Sequence, residues 1–339
     1  MMGFTLIELM ISMVLGLLLI AGVGSVFLAN KDAYRTNEAM SQVQDAARTS
    51  FELLAREVRQ AGANPCAASR LQSVLNDGDP MLDNLINAGS LSPIDGWDDA
   101  TGISLAGFPA SGEDGAPVGG AIQTGGGGGA LRLASAKDAG VALADTTTTR
   151  TAINLAAGTA AAVSAGDVLM ICDADQGAIF QVTGVSSNQI QLDGSGVTPG
   201  NSTPSLNIDS SGTSFAPTSY LAIPENYIWY VGTNPAGGRS LYRWGPGQGS
   251  ASAPQEMVRG VWGMQVEYHE GTEGTFKEAE PEPGSGPGVA NFLNVNGIRM
   301  TLVVRSQGTS DGDAARGAGS DRERLERRFS ATLALRNLM

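Results

Sequence analysis

The chain has 339 residues and a formal charge of −13, from 21 Lys and Arg against 34 Asp and Glu. A surface that acidic repels nucleic acid and anionic headgroups, so no nucleic acid is expected as a partner. Only 6% of residues are aromatic while 46 are glycine, which suits short strands and long connections and argues against a helical bundle.

The N-terminal stretch reads Gly3-Phe4-Thr5-Leu6-Ile7-Glu8 and then runs almost wholly apolar to Leu28. From Leu9 to Leu28 there are about 20 residues, roughly 30 Å as a helix, enough to cross a bilayer core. Residues 4–28 therefore read as a transmembrane helix in contact with membrane lipid. In a secretory signal the small-residue cleavage site follows the apolar core. Here the small residue, Gly3, precedes it, and cutting there would leave the anchor on the mature chain. Glu8 lies one turn into this helix. Either the headgroup region and the positive helix end accommodate it, or it is kept for a partner.

This motif resembles the processing site of type IV pilins and type II secretion pseudopilins. The resemblance implies that a prepilin peptidase removes residues 1–3 and methylates the new N-terminus at Phe4. It also implies that Glu8 of one subunit neutralises the Phe4 amine of a neighbour in a filament. Family leaders carry Lys or Arg before the glycine, and Met1-Met2 supply neither, so a true start upstream of Met1 is expected.

Residues 29–62 continue the helix in amphipathic form. Met40, Val43, Ala47, Phe51, Leu54, Val58 and Ala61 recur every three or four positions, one apolar stripe with Glu38, Gln42, Asp45, Arg48, Glu52, Arg56 and Arg59 largely off it. Gly62 is placed to end the helix and Pro65 prevents its continuation. One helix from Phe4 to Ala61 is expected, about 85 Å long. Its stripe would seat it on a globular head and pack helix against helix on assembly. With an exported head, a disulfide between Cys66 and Cys172 is permitted, the alternative being two separate buried thiols. The bridge would close a loop of about 106 residues, stabilising by roughly 4–5 kcal/mol in the chain-entropy description.

Residues 63–130 are rich in Asp, Gly, Pro and Ser and read as a loop-rich variable region. Gly125 to Gly129 reads as a flexible connector, because no Gly-Lys-Ser/Thr follows to make a phosphate loop. From Leu131 the pattern is strands. Asp167–Cys172 and Ala178–Thr183 flank Asp173-Ala174-Asp175-Gln176-Gly177 as a hairpin, and Gln189–Leu192 alternates with period two. Tyr227–Val231 and Ser240–Trp244 form a second pair. Val258–Tyr268, Ile298–Arg305 and Phe329–Arg336 close the chain, with Ser306–Gly319 a loop.

The C-terminal series, with its Val258-Arg259-Gly260-Val261 turn, the Ile298–Arg305 strand and the ending Ala334-Leu335-Arg336-Asn337, is similar to the PilW-type minor pilins. So is the Asp167–Thr183 hairpin. The resemblance implies an α+β, pilin-like fold: a long N-terminal helix, half membrane and half amphipathic, packed on a mainly antiparallel β head over 131–339. It implies an inner-membrane protein with its head in the periplasm, incorporated into the pilus. Its partners would be other minor pilins, the major pilin, the prepilin peptidase and the inner-membrane assembly platform. Such a protein primes or caps the pilus and supports motility or adhesion. Pseudopilin J of type II secretion shares the plan, and an anchored periplasmic binding protein outside any filament is the alternative from another class.

Nothing in the sequence builds a catalytic site, and no cofactor is expected. The one histidine, His269, reads as a surface residue at a strand end. Asp173 and Asp175 are the least remote calcium ligands, lacking the distal glutamate and full spacing of an EF-hand. Arg322, Arg324, Arg327 and Arg328, interleaved with Asp321, Glu323 and Glu326, read as a salt-bridged solvated face. Glu278 to Pro283 reads as an acidic loop.

Overall fold

A computed structural model describes residues 6–63, 70–76, 86–87, 90–91, 93–103, 105, 108–144, 151–173, 176–193, 196–206, 215, 218–245, 253–271, 274–279, 292–307 and 325–335. Its first element is one helix, α1 (Leu6–Gln60), 55 residues long and so about 82 Å. No proline interrupts it, and it runs on through Gly16, Gly22 and Gly24. It ends as the sequence predicts: Gly62 takes a left-handed φ of 74°, a conformation that costs glycine nothing. The Gly62 N–H then donates to the Ala134 carbonyl at 2.8 Å, tying the helix end to the head.

Among the described residues seventeen strands follow, many of them two to five residues long. The early ones are β1 (Arg70–Ser73), β2 (Ile86–Asn87), β3 (Ser90–Leu91), β4 (Ile94–Trp97), β5 (Ala130–Asp138) and β6 (Ala152–Asn154). Next come β7 (Val168–Cys172), β8 (Gln176–Gln181), β9 (Gly184–Ser186), β10 (Gln189–Gln191), β11 (Tyr220–Thr233) and β12 (Arg239–Trp244). The last are β13 (Gln255–Arg259), β14 (Val261–Glu270), β15 (Phe276–Lys277), β16 (Val295–Arg305) and β17 (Glu326–Ala334).

The largest sheet has eight strands, in the order β1-β8-β7-β11-β12-β13, with β5 also on β11 and β4 on β5. β11 is long enough to organise it. One edge pairs with β5 from Ala222 to Tyr230, and the other takes β7 at Tyr220–Ala222 and β12 at Ile228–Thr233. Among the described strand pairs only β1 with β8 is parallel, and an isolated parallel bridge joins Gly128 to Met264. A four-stranded antiparallel sheet runs β15-β14-β16-β17, and a three-stranded one runs β6-β10-β9. The architecture is the expected α+β, one long helix on mainly antiparallel strands.

Two details refine the expectation. Val258–Tyr268, read as a strand that opens on a Val258-Arg259-Gly260-Val261 turn, is two strands. Gly260, at φ 84°, turns the chain between them, so that β13 stays in the large sheet and β14 opens the four-stranded one. The glycine run is not a flexible connector. Gly126 and Gly127 donate to the Ala121 and Gly119 carbonyls at 3.0 Å, and Gly128 to Gly120 at 2.9 Å. Gly129 donates to the Met264 carbonyl at 3.0 Å, and the Met264 N–H returns to Gly127 at 2.9 Å. Low side-chain content here serves close backbone contact.

The main core lies where the C-terminal half of α1 meets both large sheets. Val43, Ala47, Leu54 and Val58 of the helix pack with Leu131, Leu133, Trp229, Val231, Leu241, Met264, Met300, Leu302 and Val304. Period-two alternation puts the neighbouring residues on the opposite face of the large sheet. There Ala130, Ile228, Tyr230, Tyr242 and Trp244 are covered by Ala100, Ile103 and Phe108. The segment read as loop thus shields the far face of the sheet. Desolvation there drives the Tyr230 and Tyr242 hydroxyls well above their ordinary pKa.

Candidate functional site

The helix divides into two halves with different surroundings. Every residue from Leu6 to Glu38 is exposed, including Leu17, Leu18, Leu19 and Ile20 at 66–69%. No aqueous protein surface tolerates such a continuous apolar cylinder, and this helix is long and apolar enough to cross a membrane. Glu8 is exposed in its first turn. Gly3 and Phe4, the expected processing residues, lie outside the described residues.

From Val43 the same helix is seated. Val43, Ala47, Leu54 and Val58 are buried, Phe51 is half-buried against the core, and Met40 is half-buried where the seat begins. These stripe residues therefore face the protein's own sheets, the seat on the head that the stripe leads one to expect. What remains for intermolecular packing is the exposed half. Ser50 also lies on the buried face, its hydroxyl without a partner. Apolar periodicity alone passed over it.

Arg243 of β12 clamps the seat. It pairs with Glu57 at 3.5 Å, donates to Gln255 at 2.8 Å and lies over the Tyr227 ring at 4.5 Å. Burial, the largest influence, pushes the Glu57 carboxyl above its ordinary value against the pull of Arg243 and Arg56. A carboxyl raised in the folded state keeps its proton at pH values where the unfolded chain has released it. Folded stability is then higher in acid and falls as pH rises through the carboxylate range. Glu57→Gln is accordingly expected to raise the melting temperature at neutral pH. The gain should vanish near pH ~3, where Glu57 is protonated in both states; equal melting at neutral pH would refute this.

Other expected site residues are placed differently. Cys172 is fully buried on β7, and no free cysteine occurs among the described residues; Cys66 lies outside them. Asp173 shapes the β7–β8 turn, its Oδ1 accepting from the Gln176 N–H at 2.9 Å, while Asp175 lies outside the described residues. No group of three or more His, Cys, Asp or Glu able to hold a metal occurs among the described residues. His269 Nδ1 contacts Asn296 Oδ1 at 2.7 Å at the end of β14. In the C-terminal basic cluster, Glu326 pairs across the sheet with Arg305 at 2.6 Å. Arg327 and Arg328 are exposed, and residues 321–324 lie outside the described residues.

The arrangement defines an anchored α+β protein: an exposed apolar helix that runs without a break into a head-docked half, seated on antiparallel sheets. Residues 228–337, from within β11 to just past β17, match the family described as type IV pilus-assembly protein W, PilW, and the match supports assigning the chain to that family. It likewise supports involvement in type IV pilus assembly. No curated protein and no solved structure matches the chain at a significant level.

Proposed function

We propose that the chain is a minor pilin, processed after Gly3, N-methylated at Phe4 and built into the type IV pilus through its N-terminal helix. In this reading it joins other minor pilins in a priming or tip complex with the major pilin on the inner-membrane platform, and so supports motility or adhesion. The observation that carries the reading is the helix itself. Its exposed apolar half is continuous with a half fixed on the head, so a single element serves as anchor before assembly and as filament core after it. Lipid and neighbouring helices can exchange around that half with little loss of apolar burial. Glu8 would meet the Phe4 amine of the adjacent subunit as its helix leaves the membrane. Cys172 would pair with Cys66, the chain's other cysteine, linking β7 to the segment after α1.

Glu8→Ala is expected to leave the protein in the membrane but exclude it from sheared pili, with pilus number reduced. Normal incorporation and unaltered pilus number would reject the role. A photoreactive residue at Leu17, within the exposed half, should crosslink to other pilins; crosslinks to secretion pseudopilins alone would move the protein to the type II secretion system.

A further inference from the structure

Where the apolar run of α1 ends at Leu28, on the side of the head, Lys31, Asp32 and Arg35 are the first charges to follow. At about 1.5 Å per residue, Lys31 stands about 4.5 Å beyond Leu28 and Arg35 about 10.5 Å. The headgroup layer on each side of a bilayer core is about 5–7 Å deep. Each Cα–Cβ bond also tilts towards the helix N-terminus, which drops these side chains back towards the lipid. Lys31 and Arg35, one turn apart, share a face of the helix with Tyr34, and the exposed Phe27 and Leu28 lie a turn below on that face. Burial against the head begins only at Ala39 and Met40.

Three observations mark this band as a lipid contact. Lys31, Tyr34 and Arg35 are all exposed, Tyr34 by 70%. Both cations also keep their donors: Lys31 forms no ion pair among the described residues, and Arg35 forms none with Asp32 or Glu38, the two carboxylates within one turn of it. Further along the same helix Arg48 does pair with Glu52, at 2.8 Å. Asp32 carries the one opposing charge at this level, since Glu38 stands about 15 Å beyond Leu28, above the headgroups. Finally, Tyr34 is the single aromatic residue of α1 between the apolar run and the head. A tyrosine has an apolar body and a polar tip, which suits the boundary between lipid and water.

We propose that Lys31, Tyr34 and Arg35 form a binding site for the phosphate of anionic phospholipids in the leaflet nearest the head. Lys31 and Arg35 donate to the phosphate oxygens, and the Tyr34 ring lies among the glycerol groups with its hydroxyl towards water. Anionic lipids are favoured over zwitterionic ones because no ammonium group of the lipid competes for the phosphate. The formal charge of −13 belongs almost wholly to the head: up to Thr36 the chain carries only Glu8, Lys31, Asp32 and Arg35. The acidic head therefore does not decide what this stretch of helix binds. The proposal rests on α1 spanning the membrane and not on the minor-pilin reading.

The test places the full-length chain in phosphatidylcholine vesicles with a trace of spin-labelled phosphatidylglycerol or, in parallel, of spin-labelled phosphatidylcholine. The motionally restricted fraction of each label reports lipid held at the helix. The wild type is expected to hold the phosphatidylglycerol label at least about twofold in preference, an excess that falls as salt rises. Lys31→Gln/Arg35→Gln should bring the ratio close to one, and Lys31→Arg/Arg35→Lys, which keeps both charges, should retain the preference. Flotation of the same vesicles on a sucrose gradient checks the span itself. A wild-type chain that does not float rejects the anchor and the site with it. A floating wild type with no preference, or a preference unchanged in the Gln double variant, overturns the headgroup site alone.

Discussion

Leu54→Ala is expected to destabilise the folded head by about 2–5 kcal/mol, the range for truncating a buried leucine. For a head of this size that corresponds to a fall of roughly 4–20 °C in melting temperature. Leu54 has no exposed surface and lies at the centre of the contact between α1 and the two large sheets, with Trp229, Met264 and Met300 in the same cluster. The truncation removes apolar contact at the joint that fixes the helix direction, and the rigid neighbours cannot close around the void. Thermal melting followed by circular dichroism in detergent measures the effect. Arg56→Ala, two residues away and exposed, is the control and should change the midpoint little. A loss of similar size at both positions would mean that the stripe does not seat the helix.

The same joint shows what was legible in the sequence. Val43, Ala47, Leu54 and Val58 announce themselves because helix period and burial period coincide, and Gly62 because a left-handed residue must end the helix. The hairpins at Asp173 and between β11 and β12 follow from turn residues flanked by alternating strands. What was hidden depends on contacts between distant parts of the chain. Ser50 is buried on the stripe, but a polar residue does not register in an apolar pattern. The small pocket at Trp262 draws Arg239, Arg305 and Arg328 from three strands whose register no local signal fixes. The turn at Gly260 is legible, but that the chain changes sheets there is not, because alternation reports the face a residue takes and not the sheet it joins.

The glycine run offers the clearest contrast between composition and structure, and Gly128→Ala is expected to have the second large effect. A Cβ at Gly128 would lie 2.0 Å from the Met264 carbonyl oxygen, on a residue with φ +82°. The left-handed backbone alone costs about 1–2 kcal/mol for a residue with a Cβ. Displacing packed backbone adds about 1–3 kcal/mol. Gly127 and Gly126 are hemmed in likewise, their Cβ positions 2.0 Å from the Val118 carbonyl and 2.1 Å from the Gly120 carbonyl. Gly125 shares the positive φ but has open space around it, so Gly125→Ala should show the backbone cost alone. A graded series is the expected result: a small loss at Gly125, larger losses at Gly126, Gly127 and Gly128, read from melting temperature. A flexible connector would tolerate alanine equally at all positions, and a flat series would restore that reading. The run holds β14 through paired hydrogen bonds with Met264 and walls the Trp262 pocket at Gly125 and Gly126. Gly128→Ala should leave the exposed half of α1, and anchoring through it, intact.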